Sequence, residues 1–426
     1  MSLLIKNAMI VNADKKEKQP KDIFIDKGVI KKIGSSLQVS AKKTIDAKGF
    51  LVLPGLIDIH VHFREPGHEY KETIETGSQA AVKGGFTGVM CMPNTRPVID
   101  SAMIVEAIKK ESERVGLCNV IPIGAITRGQ KDCQLVDMFE MKAAGCLALS
   151  DDGKSVVSSQ LMRRAIEYSK MVDILLIQHC EDPLISAGGA MHEGVTSTLL
   201  GIKADPYISE SIIVARDIEL VHYLGGHVHF AHMSCRRSID LIRHAKKQGV
   251  SVTAEACPHH FALTDEAVKT FDTNAKMNPP LRTADDVAAI KEGLKDGTID
   301  LIVTDHAPHS LEDKEADFES APFGIIGLET SLALTITELV KPGILSWEQV
   351  VDKMSTSQAR IVKIENKGVL KEGYDADITI VDPDKEWVVT KEETVSKSKN
   401  SPFFGRTLTG RVQTTIYGGK VVYEDK

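Results

Sequence analysis

The stretch IDIHVHFREPG at residues 57–67 sets His60 and His62 one residue apart in an apolar run, with Arg64 close behind and a Pro66–Gly67 break after it. In an extended strand alternate side chains share a face, so Ile57, Ile59 and Val61 point one way and Asp58, His60 and His62 the other. Two imidazoles leaving one segment on the same side suit a metal ion when further donors arrive from elsewhere. The chain supplies them: Asp151 and Asp152 in SDDGK, His179 in QHCED, His232 in AHMS, His259 and His260 in CPHH, and Asp305, His306 and His309 in TDHAPH. Taken singly, each has an ordinary explanation. His179 and His232 fit neutral core histidines, while Asp305 or Asp151 fits a turn. Taken together, imidazole and carboxylate suit zinc, or less selectively another divalent transition metal, with no cysteine needed. Attack by an activated water is the chemistry such a set serves.

These donors stand at the ends of short apolar runs. In order the runs are LIDIHVHF (56–63), FTGVMCMPN (86–94), NVIPIGAIT (119–127), CLALSDD (146–152), ILLIQHCED (174–182), HVHFAHMS (227–234), SVTAEACPHH (251–260) and LIVTDHAPH (301–309). Amphipathic stretches of helical length fall between them, among them SAMIVEAIKKESERVG, SSQLMRRAIEYSKM and CRRSIDLIRHAKKQG, several closed by a glycine suited to a helix C-cap. Alternating strands and helices of this number predict an α/β fold, a (β/α)₈ TIM-type barrel over residues 53–364. In that architecture chemistry gathers at the C-terminal ends of the strands, where the histidines and aspartates lie. The flanks, 1–52 and 365–426, read as β pieces such as DIFIDKGVIKKIG and QTTIYGGKVVYED. They predict a small β-sandwich-like domain assembled from both ends of the chain.

Composition narrows the partners. With 426 residues, 52 basic against 59 acidic and a net charge of −7, the chain has no basic block for nucleic acid or an anionic membrane. The seven cysteines form no C-x-x-C pair and the N-terminal apolar run is too interrupted for a signal peptide, so a reducing cytoplasm is expected.

The stretches HVHFREPG, MPNT (92–95), SDDG (150–153), QHCED, AHMS, NPPLR (278–282), TDHAPH and NSPFFG (400–405) together resemble the dihydroorotase family of the amidohydrolase superfamily, nearly end to end. The resemblance implies reversible hydrolysis of the cyclic amide of dihydroorotate to N-carbamoyl-L-aspartate in pyrimidine biosynthesis. It also implies two Zn²⁺ per subunit. Carried over by motif, His60, His62 and Asp305 hold one metal, His179 and His232 the other, and Asp152 bridges both with a hydroxide. Asp305 doubles as the catalytic proton carrier. Arg64, Asn94, Asn278 and His309 match positions that hold the substrate, with the backbone at Phe323 and Gly324 closing over its ring. A homodimer and an association with aspartate transcarbamoylase are further implied.

The chemistry asks for such parts. Two Zn²⁺, two carboxylates and a hydroxide sum to 4 − 2 − 1 = +1, which favours an anionic substrate and its developing oxyanion. Arg64 offers a planar fork that fits a carboxylate in two hydrogen bonds. Strand alternation leaves Asp151 and Asp152 equal candidates for the bridge, and the choice of Asp152 rests on the family pattern. Lys154 is a rival only as a carbamate, and it lies past Gly153, on the following loop. Asn94 and Asn278 sit in turn-like contexts that would also explain them. The charged stretch 310–323, after the eighth strand, is where a lid would sit. Hydantoinases and allantoinases share the barrel and the bond type, and Arg64 is the feature that argues against them. A metal-free scaffold subunit of aspartate transcarbamoylase is the remaining alternative, and here every ligand position is filled.

Overall fold

The computed structural model describes residues 2–425. Eight short strands run parallel: β1 (Leu56–Val61), β2 (Phe86–Cys91), β3 (Asn119–Pro122), β4 (Ala148–Ser150), β5 (Leu175–Gln178), β6 (Val228–Phe230), β7 (Val252–Ala256) and β8 (Leu301–Ile302). The first three form one ladder and the last five another. Single parallel bridges from Gly124 to Leu149 and from Val61 to His306 close the ring. Leu56, Val61, Phe63, Val89, Leu176 and Phe230 face outward and pack with the surrounding helices, whereas Ile57, Ile59, Met90, Ile123, Ile177 and Val303 fill the barrel.

That partition corrects the alternation expected for the first strand. Ile57 and Ile59 lie inside the barrel but Val61 lies outside it. The pairing of β1 with β2 is irregular between Asp58 and Val61, and a bulge of this kind adds one residue and reverses the phase. Without it, isoleucines inside would force both histidines out. With it, apolar packing at the bottom of the barrel gives way to His60 and His62 at the mouth.

Helices return the chain between strands. Thr73 caps Ile74–Lys83 in a capping box with Thr76, and Thr283 caps Ala284–Asp296 with Asp286, each satisfying N–H groups that a helix start leaves free. The helix between β3 and β4, Met138–Ala144, is only seven residues long. It shows almost no period in the sequence. Between β5 and β6 an insertion carries two short helices and the paired strands Met191–His192 and Ala204–Asp205 before the long helix Ile208–Leu224.

The two ends of the chain make one eight-stranded sheet. Its order from one edge is Lys420–Glu424, Thr407–Tyr417, Ile378–Val388, Leu51–Pro54, Ser2–Ile10, Lys21–Asp26 and Val29–Gly34, with Lys43–Asp46 also on Ser2–Ile10. One face has its own core of Leu3, Ile5, Ile23, Ile30, Ile378 and Ile416. On the other side Leu51, Leu53, Val381 and Val412 join the outer core of the barrel, and the Thr379 and Thr415 hydroxyls donate to the carbonyls of Gly85 and Val82, each at 2.6 Å. Among the described residues no helix is long and apolar enough to cross a membrane.

Candidate active site

At the mouth of the barrel the ends of β1, β4, β5, β6 and β8 bring four histidines and two aspartates together. Asp152 is the centre. Its Oδ1 lies 3.3 Å from His60 Nε2, 3.5 Å from His179 Nδ1 and 3.4 Å from His232 Nε2, and its Oδ2 lies 3.2 Å from His62 Nε2. Asp305 Oδ1 stands 3.0 Å from His62 Nε2 and 3.6 Å from His60 Nε2. Two overlapping groups have the spacing of metal donors: His60, His62 and Asp305, and His60, Asp152 and His232. His179 joins the second, with its Nδ1 2.9 Å from His232 Nε2. His232 and Asp305 both have positive φ, 35° and 47°, a region sparsely populated by residues other than glycine and found at functional sites.

Residues behind the histidines fix which nitrogen faces inward. His60 Nδ1 donates to Glu255 Oε1 at 2.5 Å, His62 Nδ1 to Asn94 Oδ1 at 2.9 Å and His179 Nε2 to Glu181 Oε2 at 3.2 Å. Each inner nitrogen then presents a lone pair towards Asp152, the tautomer a metal requires. His60 Nε2 and Asp152 Oδ1 are buried without a hydrogen-bond partner, and buried polar atoms are seldom left so. A cation bound between them would satisfy both, so the donor set fits a metal.

Electrostatics agrees. Burial alone would raise the Asp152 carboxyl, yet His60, His179 and His232 hold it well below the usual carboxylate range. Asp305 is likewise held low against burial, chiefly by its bond from His62. His179 moves the other way: burial opposes its protonation, but Asp152 and Glu181 raise it to about 10. His60 and His62 are raised in the same way, against burial, by Asp152 and the neighbouring carboxylates.

The rivals for the bridge are elsewhere. Asp151 accepts from the Ile126 and Thr127 amides at 2.8 and 3.0 Å and from the Thr127 hydroxyl. Lys154 is exposed, with its ammonium directed to the Gln130 carbonyl at 3.4 Å. His306, expected only as a strand-end histidine, donates to Glu72 at 3.4 Å and accepts from the Gly327 amide. His260 donates to the Pro279 carbonyl at 2.9 Å and, with His259 and Cys257, forms a separate buried group.

Beside the cluster opens a cavity of about 310 Å³, lined by His62, Asp152, His179 and Asp305 together with Arg64, Asn94, Asn278, His309, Phe323 and Gly324. This is the small end of the range for ligand pockets, about 300–1,000 Å³. Arg64 is buried, and burial lowers its pKa only to about 10, so it stays charged at neutral pH. Its Nε donates to the Pro308 carbonyl at 3.1 Å. His309 Nδ1 accepts from the Lys71 ammonium at 3.1 Å, so its Nε2 carries the proton and donates to the Phe323 carbonyl at 2.8 Å. Asn278 Nδ2 donates to Glu181 Oε2 at 2.8 Å. Gly67 permits the crowding of the first two loops: a Cβ there would lie 1.9 Å from the Arg96 carbonyl oxygen.

Sequence reasoning missed Glu255, which also accepts from His229 Nε2 at 2.9 Å and from the His232 amide at 3.2 Å. In SVTAEACPHH it alternates with alanines and so looks like the wet side of a half-exposed strand. Glu181, Lys71 and Asn400 were likewise given no role. The signal available was position alone, inside QHCED for Glu181 and at the head of NSPFFG for Asn400, and for Lys71 there was none.

Residues 51–422 match the amidohydrolase family, and the chain belongs to that family, as its barrel and its histidine–aspartate mouth require. A dihydroorotase of Pelotomaculum thermopropionicum is 52% identical over the whole of this chain and 99% of its own length, and one of Acetivibrio thermocellus is 51% identical over the same shares. Within the amidohydrolases the chain therefore falls among the dihydroorotases. The L-hydantoinase of Arthrobacter aurescens is similar in structure, with a TM-score of 0.89 over 99% of this chain and 96% of its own at 27% identity.

Proposed function

We propose that this amidohydrolase opens and closes the cyclic amide of dihydroorotate with two zinc ions in the mouth of the barrel. The observation that carries the reading is Arg64, a buried guanidinium in the same small cavity as the histidine–aspartate cluster. His60, His62 and Asp305 would hold one ion, His179 and His232 the other, and Asp152, whose carboxylate lies within 3.5 Å of all four histidines, would be shared between them. Bound there, the metals supply a water acidic enough to attack at neutral pH and a Lewis acid for the amide carbonyl.

The remaining work belongs to the chain. Arg64 takes the substrate carboxylate in a bidentate pair, while Asn94 and His309 fix its orientation. Asn278 and the backbone at Phe323 and Gly324 bound the ring. Asp305 receives the proton of the attacking water and passes it to the ring nitrogen as the C–N bond breaks; in the reverse direction it takes that proton back. Held well below the usual carboxylate range, it is an ionised acceptor at the start of each turn. The likeness to a hydantoinase makes ring hydrolysis without a carboxylate the second reading. Turnover of dihydroorotate against dihydrouracil and hydantoin, with metal analysis, separates the two: dihydroorotate should be preferred by a large factor with about two zincs per chain, and preference for hydantoin would overturn the assignment.

Cytoplasmic location, a homodimer and association with aspartate transcarbamoylase belong to the same proposal, as does division into a barrel at 53–364 and a β domain from 1–52 and 365–426. Light scattering of the purified chain, alone and mixed with that partner, tests the assemblies.

A further inference from the structure

Asn400 opens the NSPFFG stretch, in the excursion that leaves the terminal sheet after Ile378–Val388 and returns at Thr407–Tyr417. It is 2% exposed and does not line the cavity. All of its hydrogen-bonding side-chain atoms go to the backbone of residues that do. Nδ2 donates to the carbonyls of Ala307 at 3.0 Å and Gly324 at 3.1 Å, and Oδ1 accepts from the His309 amide at 3.1 Å. Its own carbonyl accepts from the Ile326 amide at 2.9 Å. One side chain thus ties together the two segments that flank residues 310–323, 307–309 and 324–326, both of which contribute to the cavity lining.

The tie is tight. Gly324 has φ +123°, and a Cβ there would come within 2.6 Å of the Ala307 Cβ. The excursion is itself anchored, so Asn400 is not a loose tether. The Lys397 amide donates to Glu72 at 3.1 Å, the Ser398 hydroxyl to the Lys71 carbonyl at 2.7 Å and the Ser396 amide to Glu329 at 3.0 Å. An amide with two donor hydrogens and an acceptor is the side chain that can serve two carbonyls and one N–H at once. Aspartate, of the same shape, would set an oxygen against both carbonyls.

We infer that Asn400 is a positioning residue for the substrate: it sets the spacing between the His309 and Gly324 sides of the pocket, so that the C-terminal part of the chain helps to define substrate affinity. This rests on the reading that His309 and Gly324 contact dihydroorotate. Contacts present in both the bound and the transition state appear in KM rather than kcat.

The test is steady-state kinetics on dihydroorotate for Asn400→Asp, Asn400→Ala and Asn400→Ser, with zinc content and melting temperature measured on each. Ser401→Ala is the control, since the Ser401 hydroxyl accepts only from the neighbouring Phe403 amide, at 3.2 Å. KM should rise about tenfold or more in the Asn400 variants, with kcat within about threefold, zinc retained, and no such split in Ser401→Ala at a similar loss of melting temperature. A folded, zinc-loaded Asn400 variant with KM within about twofold of the parent would overturn the inference, as would a fall in kcat alone. His309→Ala run beside them separates the two levels: a normal KM in that variant removes the underlying reading, and a raised KM there with normal Asn400 variants removes only the role of Asn400. If Asn400→Ala does not fold, the isosteric Asn400→Asp decides.

Discussion

Arg64 is the side chain whose loss separates binding from metal chemistry. Its Nε donates to the Pro308 carbonyl and not to any of the clustered histidines and aspartates, so Arg64→Met should keep its zinc while kcat/KM for dihydroorotate falls on the order of a hundredfold. Kinetics close to the parent would remove Arg64 from the substrate carboxylate. Asp152→Ala should lose at least one zinc and nearly all activity, whereas Lys154→Ala, altered at an exposed site, should keep both; atomic absorption on the two variants reads this directly. Glu255→Gln probes the support behind His60 and His232. Removing the charge that orients a ligand histidine costs roughly ten- to a hundredfold in metal affinity, read by competition with a chelator, and unchanged affinity would mean that packing alone holds His60. The gathering of histidines and aspartates at the mouth was legible in the sequence because these residues at strand ends have few other uses in such number. Glu255 was not, since its burial depends on the interior of a barrel that no local pattern reveals. Simple alternation also misplaced Val61, because a bulge is invisible until the partner strand is known.

The segment 310–323 was expected as a lid, and in the structure it lies against the barrel around one buried lysine. Lys314, in the helix Leu311–Lys314, donates its ammonium to the carbonyls of Thr273 at 2.9 Å and Pro322 at 2.8 Å. Burial, with a contribution from the charge of Lys276, pulls its pKa down to about 7, against about 10.4 for a lysine in an unfolded chain. Between those values the unfolded state binds more protons, so this group's contribution to stability rises with pH across that window and its cost is fully felt below pH 7. Urea midpoints should show the parent gaining on Lys314→Met between pH 7 and 10 by at least about 1 kcal/mol; parallel curves would mean that the carbonyls keep the ammonium charged throughout. Eight strands and the longer helices could be read from the apolar period. Met138–Ala144 could not, being barely two turns, nor could the insertion after β5, whose short pieces follow tertiary contacts rather than local preference.

Net reaction direction is a property of the whole system of enzyme and solvent. Dihydroorotate has one carboxylate and N-carbamoyl-L-aspartate two, so ring opening releases a proton near neutrality and its equilibrium should shift about tenfold per pH unit towards hydrolysis as pH rises. A ratio that stayed flat between about pH 6 and 8, well above carboxylate pKa values, would rule out this substrate pair. The pairing of both chain ends in one sheet was legible from the β character of the flanks, while its strand order was not, because register across more than 300 residues is set by the barrel between them. That order also dictates a schedule for synthesis. Leu51–Pro54 pairs with Ser2–Ile10 on one side and with Ile378–Val388 on the other. On a ribosome adding about 5–20 residues per second, the second partner emerges roughly 18–75 s after the first. Throughout that interval the nascent sheet presents an unpaired apolar edge, the kind of surface on which chains associate wrongly. Ile378–Val388 ends that exposure, so a ribosome that stalls before residue 378 leaves behind a barrel with an adhesive side.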